Sequence, residues 1–294
     1  MTKRIALLGH PVAHSISPAF QQAALDACGI DARYEGWDTP PEDLRIAVER
    51  LRSGDLMGAN VTVPHKVAAM RLVDRPDALA ERVGALNTIV HRNGLLEATN
   101  TDVTGILRAL ESAGVEVRGA EVLLVGAGGA ARAVVVVMRQ ADAARVVIAN
   151  RTPERAAALA SLGGADLDLR YAPLDVDDAT FRGAASRARV IIQSTSLGMR
   201  HGPDEGAHPV PGDLLHAGQV AFDLVYVPEA TPFLRAAAEA GARPVGGLAM
   251  LVHQGAEAFR LWTGVQPPLD VMFEAARAAL TARSTGAGGG PEDG

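Results

Sequence analysis

One cysteine, Cys28, stands in 294 residues. A single thiol closes no internal disulfide, which fits a reducing cytoplasm and excludes the disulfide-stapled secreted class. With no activating context around it, Cys28 reads as a small buried hydrophobe in a helix and not as a nucleophile. Aromatic residues make up 4% of the chain, so Ala and Val must fill its cores. No apolar run approaches the length of a membrane span, and the opening MTKRIALLGHPVAHS lacks the features of a signal peptide. No basic run stands out against a net charge of −6, which argues against a nucleic-acid partner and leaves anionic ligands to local charges. No His, Cys, Asp or Glu spacing suggests a metal site.

What is present is ample apolar material, 48% of the residues, in a chain long enough for two domains. The most informative stretch runs from Glu121 to Thr152. An apolar run, Val122 to Val125, enters Gly126-Ala127-Gly128-Gly129-Ala130-Ala131. An amphipathic helix follows, and a second apolar run ends at Asn150-Arg151-Thr152. This is the pattern of a nucleotide-binding βαβ unit. The glycines permit a tight turn and let the backbone approach a pyrophosphate, which the free N–H groups and dipole of the helix N-terminus attract. Ala131 replaces the frequent third glycine with a residue still small enough for close helix–strand packing. Sites for NAD place Asp or Glu after the second strand to accept from the ribose 2′-hydroxyl. Here that region offers Asn150, Arg151 and Thr152, with Arg155 one helical turn on, and a cation without a carboxylate suits the 2′-phosphate of NADP.

Before this unit, residues 4–8 read as a buried strand, and Pro18 to Ala27 as a helix with Ser17 as N-cap. Arg33 to Trp37 reads as a strand, Pro41 to Ser53 as a helix, Gly58 to Val63 as a strand and Lys66 to Arg71 as the start of another helix. Leu95 to Ala98 is a further strand and Thr104 to Ala113 a helix. Alternating strands and helices imply a mostly parallel sheet. Further strands fall at Val190 to Gln193 and Val220 to Leu224. The last two helices, Gly247 to Trp262 and Pro268 to Arg283, feed no sheet and are expected to pack back toward the first domain. The expected division is an α/β substrate-binding domain over 1–102 completed by 247–283, a Rossmann-type NADP-binding domain over 103–246, and a disordered Gly-rich tail over 284–294.

Asn60-Val61-Thr62-Val63-Pro64-His65-Lys66 ends a strand and opens a helix, where α/β proteins place ligand-binding side chains. Strand alternation sends Asn60 and Thr62 to one face, and a lysine in a first helical turn opposes the helix dipole, a mismatch that points to function. Asp102 suits an N-cap for the following helix, a role compatible with catalysis. The pair Asn87-Thr88 lies between apolar neighbours as a turn or a hydroxyl-reading site, while Ser15 and Ser17 flank Ile16 in a loop where capping would engage them.

Together Ser15-Ile-Ser17, Asn60 to Lys66, Gly84 to Thr88, Asn100-Thr-Asp102, Gly126 to Arg132, Asn150 to Thr152, Ser194 to Met199, Asp223 to Pro228 and Gly247 to Phe259 occur in order. In these the chain resembles the shikimate dehydrogenases, over residues 4 to about 280. The resemblance implies NADP-linked interconversion of 3-dehydroshikimate and shikimate in aromatic amino-acid biosynthesis; the chain is expected in the cytoplasm, as a monomer or homodimer. It implies that Ser15 and Ser17 hold the substrate carboxylate, that Thr62, Asn87, Tyr226 and Gln254 read the ring hydroxyls, and that Lys66 and Asp102 form a catalytic pair also touching substrate. It further implies that Leu224, Gly247 and Met250 line the nicotinamide pocket, and that the Ser194–Met199 loop borders the cofactor.

Val103 departs from the pattern, since relatives more often carry Gly after the aspartate, and this shifts the expected start of the next helix. No catalytic role is assigned to His65, and His10 and His14 read as surface histidines. Quinate or dual quinate/shikimate dehydrogenases share these motifs, although Ser17 favours shikimate, because a threonine there usually meets the extra hydroxyl of quinate. An aminoshikimate-type enzyme of secondary metabolism shares them as well. A non-catalytic NADP sensor needs only the nucleotide loop, and the presence of Lys66, Asn87, Asp102 and Gln254 together argues against it.

Overall fold

The computed structural model describes residues 2–161, 166–200, 202 and 204–285. The chain divides into two compact units, one formed by Met1–Thr101 with Val252–Gly294 and the other by Asp102–Leu251. Along the first stretch run β1 (Lys3–Gly9), α1 (Ser17–Ala27), β2 (Ala32–Asp38), α2 (Leu44–Arg50), β3 (Leu56–Val61), β4 (Arg75–Pro76), α3 (Ala78–Val83), β5 (Thr88–Arg92) and β6 (Leu95–Thr99). They build one sheet in the order β2-β1-β3-β5-β6-β4. Ala6, Leu8, Val48, Leu51, Val61, Leu86, Ile89 and Leu96 share its core.

This sheet is mixed, not mostly parallel. Strands β2, β1 and β3 are parallel, whereas β3, β5 and β6 run antiparallel. The cause is local: Asn93 (φ 52°) and Gly94 (φ 79°) alone join β5 to β6, and a two-residue loop with both φ positive closes a twisted hairpin. No α-helix forms over 66–71. The Lys66 carbonyl accepts from Leu86 N–H at 2.9 Å, so it is not given to a helical ladder, and only a 3₁₀ turn follows at Ala68–Arg71. Lys66 therefore faces no helix dipole. In α1, Ile16 rather than Ser17 holds the N-cap position, and Ser17 is the first helical residue. The helix expected over 41–53 is a 3₁₀ turn, Pro41–Asp43, followed by the shorter α2.

The second unit comprises α4 (Asp102–Ser112), β7 (Glu121–Val125), α5 (Gly129–Gln140), β8 (Arg145–Asn150), α6 (Pro153–Ala160), β9 (Asp168–Pro173), α7 (Ala179–Arg187), β10 (Val190–Gln193), β11 (Val220–Asp223), α8 (Pro232–Glu239) and β12 (Arg243–Val245). Its sheet, β12-β11-β10-β7-β8-β9, is parallel throughout. Beginning at the centre, running outward on one side and returning to the other is the doubly wound order, and it creates a topological switch point between β7 and β10. The strands are near-continuous apolar runs because helices cover both faces, and Leu123, Val125, Phe181, Ile191 and Phe233 pack in one core.

Two helices end the described chain, α9 (Leu248–Thr263) and α10 (Leu269–Thr285), and the boundary between units falls inside α9. Within the first unit α10 packs on α1. There Gln21 Nε2 donates to the Gly255 carbonyl at 2.9 Å, and Trp262 Nε1 donates to that of Ile89 at 2.9 Å. Helix α10 reaches two residues into the segment expected as a tail, and 286–294 lie outside the described residues. Among the described residues no helix is long and apolar enough to cross a membrane.

A buried carboxyl fixes the loop after β11. Asp223 accepts from Val225 N–H at 2.9 Å and from the Thr231 hydroxyl at 2.7 Å, and Thr231 caps α8 by accepting from Leu234 N–H. Burial pushes the carboxyl up to about 7, against the pull of these two hydrogen bonds. The folded protein therefore holds this proton more tightly than the unfolded chain does. The resulting stabilisation is complete below about pH 4 and is lost as the pH climbs toward 7. Asp223→Asn, which never ionises, should gain on wild type by up to on the order of 4 kcal/mol across that window, at about 1.4 kcal/mol per pH unit. Urea unfolding of both proteins at pH 4, 5.5 and 7 checks this, and a constant difference would refute it.

Candidate active site

In the second unit the switch point carries the glycine loop. Gly126 has φ +110°, and a Cβ there would stand 2.5 Å from Ser194 Oγ, so the loop after β7 passes the loop after β10 too closely for any side chain. The Ser194 hydroxyl donates to the Val125 carbonyl at 2.7 Å and holds the two loops together. Gly128 is the N-cap of α5, offers no side-chain cap, and has open space where a Cβ would be. The first-turn N–H groups of α5 thus face a cleared approach, the arrangement that accepts a pyrophosphate. Ala131, in the first turn of α5, is fully buried.

At the end of β8, Asn150 Nδ2 donates to the Thr152 carbonyl at 2.9 Å and closes the turn. Arg151, Thr152 and Arg155 are exposed. Beyond β10, the buried Gln193 accepts from both Thr195 N–H and the Thr195 hydroxyl at 2.8 Å, and donates to the Leu197 carbonyl at 3.0 Å, which shapes the 194–199 loop. Gly247 lies where a Cβ would be 2.6 Å from the Leu224 carbonyl oxygen, so these two expected pocket residues are held backbone to backbone. Met250 is buried one turn into α9, and Tyr226 is half-buried in the loop that Asp223 anchors. The residues present fit a dinucleotide carrying a 2′-phosphate: a glycine cradle with room at the helix terminus, and exposed arginine charge at the ribose end with no carboxylate at the strand end.

The first unit holds a buried polar network centred on Asn87, which is 2% exposed. Its Oδ1 accepts from Thr101 N–H at 2.7 Å, with the hydroxyls of Thr88 and Thr101 each 3.1 Å away. Its Nδ2 donates to Gln254 Oε1 at 3.1 Å, and its carbonyl accepts from Asn60 Nδ2 at 3.0 Å. Asn60 in turn accepts from the Tyr34 hydroxyl at 2.7 Å. Asn60 lies buried in β3, while Thr62 stands half-buried just beyond the strand, its methyl pressed where a Cβ on Gly9 would be. Lys66 is half-buried in the following turn. That turn is fixed by its own carbonyl bond to Leu86 and by the buried His65, whose Nε2 lies 2.6 Å from the Thr39 carbonyl. A carbonyl only accepts, so His65 carries its proton on Nε2 and serves the scaffold.

Ser15 and Ser17 lie together at the start of α1, where Ser17 N–H donates to Ser15 Oγ at 3.2 Å. Asp102 is buried and is the first residue of α4, not a cap before it, so its carboxylate sits at the positive end of that helix. Only one peptide bond separates it from Thr101, which Asn87 holds. Sequence reasoning assigned no role to Thr101, Tyr34 or Asp223. Thr101 carried a readable signal, a polar residue preceding the flagged aspartate, whereas the partners of Tyr34 and Asp223 arise only from tertiary pairing.

Family models match in chain order: a shikimate dehydrogenase substrate binding domain over residues 7–89, a shikimate/quinate 5-dehydrogenase over 108–197 and a shikimate 5′-dehydrogenase C-terminal domain over 247–277. A shikimate dehydrogenase (NADP(+)) from Moorella thermoacetica is 44% identical over 98% of this chain and 97% of its own length. One from Symbiobacterium thermophilum is 45% identical over 94% of each. The crystal structure of shikimate 5-dehydrogenase from Thermus thermophilus in complex with NADP(H) and shikimate matches with a TM-score of 0.84 at 43% identity, covering 95% of this chain and all of that one. The nucleotide cradle, the Asn87 network and these matches converge on one assignment: the chain belongs to the shikimate dehydrogenase family.

Proposed function

We propose that this protein catalyses the reversible NADP-linked reduction of 3-dehydroshikimate to shikimate. What carries the reading is the near end-to-end match to NADP-linked shikimate dehydrogenases, joined to a first unit that buries the polar groups a hydroxylated ring acid requires. The α1 start, with the hydroxyls of Ser15 and Ser17 and the positive end of the helix, holds the substrate carboxylate. Thr62, Asn87, Gln254 and Tyr226 read the ring hydroxyls. In the second unit Gly126 to Ala130 cradle the pyrophosphate. Asn150, Arg151, Thr152 and Arg155 hold the adenosine 2′-phosphate, and Leu224, Gly247 and Met250 face the nicotinamide.

When bound, NADPH supplies the hydride. Reduction of the ketone leaves negative charge on its oxygen, which needs a positive neighbour and a proton donor in the transition state. Lys66 provides both, its ammonium giving the proton to that oxygen. In the reverse direction the same amine accepts the proton from the hydroxyl, as microscopic reversibility demands. Asp102, at the N-terminus of α4, is the second catalytic residue and accepts a hydrogen bond from a ring hydroxyl of the substrate. We place the enzyme in the cytoplasm as a monomer or homodimer acting on small molecules.

The reading is tested by following reduced-nicotinamide absorbance with shikimate or quinate, each offered with NADP or NAD. Turnover is expected with shikimate and NADP. Comparable rates with quinate or NAD would move the chain to the dual-specificity branch, and none with any pair would refute the reading. Lys66→Ala should lower kcat by about 10²- to 10⁴-fold, the usual worth of a positioned acid–base group, while the NADP dissociation constant stays within about twofold. Equal losses in both would remove Lys66 from the chemistry.

A further inference from the structure

The loop between β1 and α1, which carries Ser15, is anchored by the buried Val12 and Ile16 and leaves Ala13 and His14 exposed between them. Beside it opens a surface pocket of about 460 Å³ lined by Ala13, Ser15, Ile16, Pro18, Asp38 and Arg283, among others. Between those two anchors the Ala13 and His14 side chains are exposed, so directional bonds to the main chain set the orientation of this stretch. At its leading end Asp38 accepts from Val12 N–H at 3.1 Å, and the His10 ring nitrogen lies 3.2 Å from the same carboxylate. At its trailing end stands a guanidinium from the far end of the sequence. Arg283, in the last turn of α10, donates from Nη2 to the carbonyls of Ala13 at 3.1 Å and Ser15 at 3.0 Å, and from Nη1 to that of His14.

We propose that Arg283 is a positioning residue for substrate, fixing the Ser15–Ser17 loop so that its two hydroxyls receive the carboxylate; the inference rests on the carboxylate role given to those serines. Three successive carbonyls converge on one cation. In a trans peptide the N–H points opposite to its carbonyl, so turning the Ser15 carbonyl toward Arg283 turns the Ile16 N–H away from it. The orientation of the Ser15 main chain is then set, and with it the hydroxyl that accepts from Ser17 N–H. A lysine ammonium retains charge and donors but not the planar fork, so it replaces the arginine only in part. Helix α10 packs on α1, which brings the guanidinium to the loop from a rigid support.

The test uses the full chain and steady-state kinetics with shikimate and NADP, with thermal melts to confirm folding. Arg283→Ala and Arg283→Met, the latter keeping the apolar stem, should raise KM for shikimate about tenfold. They should hold kcat within about threefold and KM for NADP within about twofold, and Arg283→Lys should recover part of the loss. Ser15→Ala should raise the same KM, and the double variant Ser15→Ala/Arg283→Ala should be no worse than the poorer single variant, because both act through one loop. An unchanged shikimate KM in Arg283→Met while Ser15→Ala raises it would overturn the proposal. So would additive losses in the double variant, or equal losses in kcat and both KM values. A silent Ser15→Ala would instead overturn the carboxylate role of the serines, and the present inference with it.

Discussion

The first unit depends on the satisfaction of one buried amide. Asn87 is almost wholly enclosed, and its side chain can be buried only because both of its ends find partners. Those partners come from separate places in the chain: Asn60 on β3, Thr88 at the start of β5, Thr101 after β6 and Gln254 on α9. One residue therefore sets the spacing of the strand end that leads to Lys66, the hairpin, and the helix that carries Gln254. It also fixes Thr101, and Asp102 follows after a single peptide. A network of this kind is costly when partly broken, since each orphaned donor keeps its desolvation penalty, so it specifies one arrangement of the substrate side.

The second unit is organised by a different constraint, the near contact of two loops at a switch point. Gly126 is required by its positive φ and by Ser194, and Gly128 two residues on has open space where a Cβ would be. Asp223 plays the corresponding part beyond β11, tying a strand end to the cap of α8 and suspending the loop with Leu224 and Tyr226 between them. Both devices place polar chemistry at the carboxyl ends of parallel strands, where the doubly wound sheet leaves a crevice.

What can be read in the sequence follows from how local the cause is. The Glu121–Thr152 unit is legible because buried parallel strands, the glycine turn and the apolar helix face are all short-range signals. The β5–β6 hairpin escapes a reading by strand–helix alternation, which passes over Thr88–Arg92, although the β-branched Thr88-Ile89-Val90 and the turn Asn93-Gly94 mark it. The helix expected at Lys66 fails for a non-local reason, a carbonyl given to Leu86 twenty residues on. Asn87 and Gln254 are named through family resemblance, but their mutual hydrogen bond spans 167 residues and no spacing rule reveals it. Arg283 falls at the end of an expected helix and has no legible task for the same reason.

The most direct test of the Asn87 account is amide hydrogen exchange at Thr101, compared between wild type and Asn87→Leu. Leucine matches the asparagine in size but cannot accept, so the Thr101 N–H loses the bond now made at 2.7 Å. Loss of a buried acceptor worth about 1–3 kcal/mol predicts exchange faster by roughly ten- to hundredfold. Unchanged protection of Thr101 in the variant would contradict the claim that this one side chain holds the substrate half in place.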